Sequence, residues 1–328
     1  VRDQSPTRNR VENVHELPAI FHYWSHKHLR PKFEAVGVRG MNEFFLDQMV
    51  AACEAAPADV HHFVSIGAGL CETELVLGAA LVAAGHRNFV FECLDADPTG
   101  LEHGRQLAAA QSLGGHFTFT PGELRHWRPD AGSVSVVMTN HSLQHVVDLE
   151  VLFDRIQAAI GSRGVLVAAA VIGRNGHMRW PEALEVLQRF WRELPDRCKY
   201  NHILQRFEAE YENWDCSQQG LVGIRAQDIL PLLVERFAFD TFLGFGNVID
   251  VFVDRAFGHN FSPASAEDCA FIDRVAETDD QLIDVGTIKP THMLAIMRNT
   301  SRREPVVYKH LTPAFCVRPV EVPSPVRG

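Results

Sequence analysis

The stretch VHHFVSIGAGLCETE, residues 60–74, passes from an apolar run through a Gly-x-Gly turn into a helix. Phe63, Val64 and Ile66 read as a buried parallel strand. Gly67 and Gly69 give the turn a backbone that tolerates positive φ and offers a ligand bare main chain. From Glu72 onward, Leu75, Leu77, Ala80, Leu81 and Ala84 keep helical spacing, and Gly85 stands where a helix C′ glycine belongs. Farther out, Phe89–Leu94 is a second strand that delivers Asp95, followed by Ala96, Asp97 and Pro98. A carboxylate at that strand end is placed to accept both hydroxyls of a ribose, and Asp97 before Pro98 is a helix N-cap. This succession predicts a doubly wound α/β domain around a nucleoside-containing ligand. A bare tight turn and a merely capping Asp95 are the alternatives.

Charge narrows the ligand. A dinucleotide sets its pyrophosphate on the helix N-terminus, and Glu72 and Glu74 in that first turn would repel it. Glu72 also stands where G-x-G-x-x-G has its third glycine. S-adenosylmethionine (SAM), with a sulfonium and an ammonium in place of phosphates, suits an acidic, glycine-lined turn. At these residues, SIGAG (65–69) with LDADP (94–98), the sequence resembles the class I SAM-dependent methyltransferases and their motif I and motif II pairing. The resemblance covers residues 60–172 well and the C-terminal third more loosely. It implies a Rossmann-like, seven-stranded sheet, SAM as cofactor and methyl transfer as the reaction. It gathers Ser65, Gly67, Ala68, Gly69, Glu72, Asp95, Ala96, Glu123, Leu124 and Asn140 around the cofactor. Two departures mark this chain. Ser65 stands where the family commonly has an acid, two residues before the first glycine, and Asp95 lies farther from the turn than usual. Glu72 or Glu74 would supply the missing acid.

The 328 residues exceed what a minimal nucleotide-binding domain of about 200 needs, so a lid or substrate domain is expected. With 41 acids against 31 bases the net charge is −10, which disfavours nucleic acid or an anionic membrane and leaves a small-molecule substrate. Seven cysteines without CxxC spacing indicate neither a disulfide framework nor a zinc ribbon, and fit a reducing compartment. The N-terminal residues are charged from Arg2 with no apolar h-region, and the longest apolar run, Val165–Ile172, is too short to span a bilayer. A cytoplasmic protein without a metal is expected. Nothing in the sequence sets its oligomeric state.

Residues 1–59 read as an N-terminal helical segment, polar over the first 13 and then rich in aromatics and histidines from Phe21 to His28. These match no ligand spacing, so a packed helix is expected; by resemblance, Tyr23, Trp24 or Arg30 would fold over the cofactor. The core, residues 60–177, continues with a helix (Leu101–Leu113), a third strand (His116–Thr120) and Gly122-Glu123-Leu124. There the resemblance gives Glu123 to the adenine amino group, and a solvated turn acid is the alternative. The fourth strand, Ser133–Thr139, delivers Asn140, His141, Gln144 and His145 to the edge at which open α/β sheets bind ligands. His145 and His141 are the candidate catalytic bases, since imidazole titrates near working pH; packing histidines are the alternative. An amphipathic helix from Leu149 to Ile160 and the strand VLVAAAVI (165–172) follow.

Residues 178–224 keep helical periodicity through Trp214 and are expected as a helical lid insertion. Residues 225–300 complete the sheet with strands Phe239–Phe245 and Thr291–Met297 around a second insertion, 247–289, and residues 301–328 form a proline-rich tail. The function expected is methyl transfer from SAM to a small or medium-sized acceptor, oxygen before nitrogen before carbon. The alternatives are an NAD(P)-dependent oxidoreductase, disfavoured by the acidic helix start, and a non-catalytic interaction protein of the same fold, disfavoured by the intact Gly67, Gly69 and Asp95.

Overall fold

The apolar stretches expected as strands lie side by side in one sheet of the computed structural model, which describes residues 16–301 and 303–319. Helices α1 (Ala19–Trp24) and α2 (Arg30–Ala35) are joined by a π-helical turn, Ser25–Leu29. Then come α3 (Met41–Ala55), β1 (His61–Ile66), α4 (Glu72–Ala83), β2 (Phe89–Asp95), α5 (Pro98–Ala110), β3 (Phe117–Pro121) and β4 (Val136–Asn140). The chain continues through α6 (Leu149–Ile160), β5 (Val165–Val171), α7 (Pro181–Glu193), and the short strands β6 (Tyr200–Asn201) and β7 (Arg206–Phe207). It ends with α8 (Ala226–Arg236), β8 (Ala238–Phe245), α9 (Val248–Val253), α10 (Ala266–Asp284), β9 (His292–Arg298), β10 (Val306–Val307) and α11 (Pro313–Cys316).

The order across the main sheet is β10-β8-β9-β5-β4-β1-β2-β3. Strands β1 to β5 are parallel, β9 runs antiparallel between β5 and β8, and β10 joins β8 in parallel. The parallel centre is mostly apolar because helices cover both faces. On one face Phe63, Phe91 and Phe117 stand in register on β1, β2 and β3, with the last two rings stacked at 5.4 Å. Burying each is worth roughly 1.5–3 kcal/mol. Helix α4 reaches this row through Gly78, where a Cβ would come within 2.6 Å of the Phe117 ring.

Among the described residues the sheet has eight strands where seven are expected from the sequence. The addition is β10, two residues in the stretch read as tail, which pair with Thr241 and Phe242 of β8. A strand this short carries no periodicity of its own. The first 13 residues and the last part of the tail lie outside the described residues.

Two compact units divide the chain. The sheet unit takes Lys32–Met178, Trp214–Phe245 and the described residues from Lys289 onward. The other gathers the described residues up to Pro31 with Arg179–Asn213 and Gly246–Ile288. In this helical unit α1 packs on α9 and α10, and α7 on α9. Its centre is aromatic: Trp191 meets Phe257 at 4.8 Å, its indole N–H donates to the Glu208 and Ala209 carbonyls, and Phe190 and Phe271 lie edge to face at 6.0 Å. Tyr23, Lys27 and His28 converge on the Asp273 carboxylate of α10 at 2.7–3.1 Å, and Trp24 is buried. Tyr23 and Trp24 thus serve this unit's own packing.

Residues 178–224 are not helical throughout. Leu194, preceding Pro195, is extended and α7 stops there. The Asn201 side chain then accepts the N–H groups of Ile203 and Leu204, closing a turn that pairs β6 with β7 antiparallel. Residues 214–224 belong with the sheet unit.

Candidate functional site

After Ile66 the backbone turns left-handed at Gly67 (φ +73°), Gly69 (φ +54°) and Cys71 (φ +60°) before α4 begins. Gly67 is also confined sterically, since a Cβ there would lie 2.4 Å from Ser142 Cβ. Helix α5 lies directly under the turn because it presents Gly100 and Gly104 to it. A Cβ at Gly100 would come within 2.6 Å of the Gly69 carbonyl oxygen, and one at Gly104 within 2.8 Å of Cys71 Sγ. The sequence reading missed this pair, whose only signal is two glycines four residues apart in a helix, and it is as much part of the site as the Gly-x-Gly turn.

Asp95, at the end of β2, holds the turn. Its Oδ2 accepts the Gly69 N–H and its Oδ1 the Asp97 N–H, both at 2.8 Å. Each carboxylate oxygen keeps a second lone pair for a hydroxyl. Asp97 caps α5, accepting from Thr99 N–H at 2.9 Å and Gly100 N–H at 3.3 Å, and these bonds hold its carboxyl below the usual range. Ala96 between them is exposed. The loop after β3 is tied to the same place by the Gly122 N–H, which donates to the Asp95 carbonyl at 2.9 Å. Beyond it, the Glu123 carboxylate is exposed and ion-paired with Arg125, and the Leu124 carbonyl accepts from Arg155 at 2.7 Å.

The turn, the first turn of α4 from Cys71 to Glu74, and Asn140 enclose a cleft of about 270 Å³ whose lining includes no basic side chain. Glu72 is exposed. Glu74 is 3% exposed and accepts a hydrogen bond from Ser65 Oγ at 2.7 Å, with Ser65 itself 1% exposed. Burial pushes the Glu74 carboxyl pKa up. At the end of β4, Asn140 Oδ1, Thr139 Oγ1 and Gln144 Oε1 are buried without a hydrogen-bond partner.

The two candidate histidines are held differently. His141 is left-handed at φ +52°, a conformation costing a non-glycine residue about 1–2 kcal/mol, and its N–H donates to the Ala169 carbonyl at 2.8 Å. Its exposed ring starts an aromatic row: His141 to His292 at 6.3 Å, His292 to Phe245 at 5.6 Å, Phe245 to Phe33 at 5.8 Å. His145 is engaged at both nitrogens. Gln144 Nε2 lies 3.4 Å from His145 Nε2, and His145 Nδ1 lies 3.0 Å from the Leu221 carbonyl oxygen and 3.4 Å from the Gly223 backbone nitrogen. The loop it grips is also fastened by Gly176 N–H to the Gly223 carbonyl at 2.9 Å, and by Arg225, which forks onto Glu150 at 2.7 and 2.8 Å. Among the described residues no cluster of three or more His, Cys, Asp and Glu is arranged to hold a metal, and no helix is long and apolar enough to cross a membrane.

Parallel strands in the order 3-2-1-4-5, with the glycine turn after the first and an antiparallel strand inserted before β8, decide the architecture. The fold is that of the class I methyltransferases. No family model matches the chain, and no curated protein matches it. Solved structures do, at low identity. A geranyl diphosphate methyltransferase is 14% identical over 79% of this chain and 77% of its own (TM-score 0.46). The cyclase SpnF is 11% identical over 78% and 81% (TM-score 0.41). The DszA carbon methyltransferase is 18% identical over 40% of this chain, which spans 35% of its length (TM-score 0.36). The class I fold therefore rests on the strand order of this chain.

Proposed function

We propose that the protein binds SAM beside the Gly67–Gly69 turn and transfers its methyl group to a small or medium-sized acceptor. The charge of the cleft carries this reading. Glu72 and Glu74 open α4 with no basic side chain in the lining, which suits a sulfonium and an ammonium and repels a pyrophosphate. The bare glycine floor and the spare lone pairs of Asp95 fit a nucleoside with free ribose hydroxyls.

SAM, when bound, supplies a methyl group activated on sulfur. The chain's part is alignment, exclusion of water and, for a hydroxyl acceptor, removal of a proton. We assign the base to His141, which follows the cleft residue Asn140 directly and holds a strained backbone of the kind that clusters at active sites. His145, engaged at both nitrogens, is assigned to positioning the 214–224 loop. Oxygen is the proposed acceptor atom, then nitrogen, then carbon, and the row His292, Phe245 and Phe33 is the proposed acceptor wall. The seven free cysteines fit a reducing cytoplasm.

Calorimetric titration with SAM, S-adenosylhomocysteine and NADH tests the reading. Both adenosyl ligands are expected to bind and NADH to fail. NADH binding without SAM binding would overturn it in favour of an oxidoreductase.

A further inference from the structure

Three strand ends carry aromatic rings to the edge of the sheet that also bears Asn140. His141 follows β4, His292 begins β9 and Phe245 ends β8, with Phe33 of α2 beyond it. The sheet sets their spacing, because His292 is the register partner of Val171 on one side and of Phe245 on the other. His292 is also held locally. The Ile172 N–H donates to the Thr291 carbonyl at 2.7 Å, a Cβ at Gly173 would lie 2.9 Å from Thr291 Cγ2, and Thr291 Oγ1 lies 3.1 Å from His292 Nδ1. His292 and Phe245 stack with 22° between their planes, whereas His141 stands edge-on to His292 at 68° and Phe33 to Phe245 at 71°. Rings that served the core alone would be fully buried, as Phe63 and Phe91 are. These four keep exposed surface.

A row of rings that alternates edge-on and stacked contacts is extended best by another ring, since each aromatic pair adds about a two- to twelvefold gain in affinity beyond the area it buries. A saturated guest fills the same space without that gain. The His141 end of the row sets a second requirement, because a hydroxyl presented there has to lose its proton. A phenol (pKa about 10) gives it up more readily than a water-like hydroxyl (about 15.7) by roughly five to six powers of ten. We infer that the acceptor is a phenol, a flat aromatic ring laid against His292 and Phe245 with its hydroxyl at His141, and that these two rings determine acceptor specificity. The inference rests on the SAM reading of the cleft and adds the chemical class of the acceptor. The phenol proton passes to the His141 imidazole and then to solvent, and the oxygen takes the methyl group as the carbon–sulfur bond breaks. The products are an aryl methyl ether and S-adenosylhomocysteine.

Three acceptors of like size separate the ring from the hydroxyl: naphthol, decahydronaphthol and naphthylamine, each supplied with SAM and followed by mass spectrometry of the methylated product. Naphthol should react about 100-fold or more faster than decahydronaphthol, and faster than the amine. Phe245→Leu, which keeps an apolar side chain but removes the ring, should raise KM for naphthol about two- to twelvefold with little change in kcat, and His292→Leu should do the same. Phe245→Tyr, which keeps the ring, should restore the wild-type KM. Equal rates for naphthol and decahydronaphthol, a preference for the amine, or a KM that both leucine variants leave alone would overturn the inference, as would SAM binding with none of the three acceptors methylated. A wild-type protein that fails to bind S-adenosylhomocysteine would overturn the SAM reading itself, and the inference with it.

Discussion

Ser142 fills the space that a side chain on Gly67 would need: a Cβ at Gly67 would lie 2.4 Å from Ser142 Cβ, while Ser142 Oγ donates to the Ile66 carbonyl at 2.5 Å. The end of β1 and the turn after β4 are thereby locked together under the cleft. Gly67→Ala should cost about 2–4 kcal/mol, part from overpacking and part from the left-handed φ, and should weaken SAM. Adding Ser142→Gly should recover the packing part only. Thermal melts of the single and double variants give both contributions.

Gly100→Ala makes a separate case, because the obstruction there is the Gly69 carbonyl, 2.6 Å from the added Cβ, which cannot move without moving the turn. Calorimetry should show SAM affinity falling more than tenfold while the fold, read by circular dichroism, is kept.

Asp95 holds the Gly69 N–H, and the proposed function gives it the ribose hydroxyls as well. Asp95→Ala removes both and should weaken SAM by about 30- to 1000-fold, the equivalent of roughly 2–4 kcal/mol. A folded variant with unchanged affinity would contradict the ribose assignment.

His141→Ala should lower the rate of methyl transfer by about two to four powers of ten at nearly unchanged SAM affinity. His145→Ala should instead loosen the loop gripped at Leu221, so that limited proteolysis cuts within 214–224 faster. Near-full rate in the double variant with an authentic acceptor would leave alignment as the sole source of catalysis.

The Arg225 guanidinium forks onto Glu150 and holds that carboxyl at about 2. Because the folded-state value is depressed, the pair's contribution to stability is complete above the ordinary glutamate value of about 4.3 and is lost as pH falls from there toward 2. Melting temperatures from pH 6 down to pH 3 should therefore converge for wild type and Glu150→Gln.

The glycine turn, the capping Asp97 and the order of strands were legible because each is local chemistry: a glycine where φ is positive, an acid before Pro98, an apolar run bounded by turns. The helical unit was not, since an apolar helix face looks the same whichever of three distant segments it packs against. The β6–β7 hairpin went unread because Tyr200, Phe207 and Tyr211 fall on a helical period by chance, and the deciding residues are Pro195 and the turn-closing Asn201. Periodicity marks α4 as a helix but does not say that Glu74 is buried and Glu72 exposed. The partner of His145 is a backbone carbonyl, which every residue has and no sequence pattern reveals.

The position of β9 between β5 and β8 bears on how the protein is made. β5 is complete at Val171, yet the strand that covers its open edge begins only at His292. At about 5–20 residues per second, synthesis of the intervening residues takes roughly 6–24 s, during which the bare edge of an apolar strand is exposed to other nascent chains. The helical unit's last segment is also finished within that interval. A chaperone that shields the Val165–Val171 edge on the ribosome would raise the yield of this protein, and a chain cut just before His292 would leave β5 and β8 as two sticky edges with nothing between them.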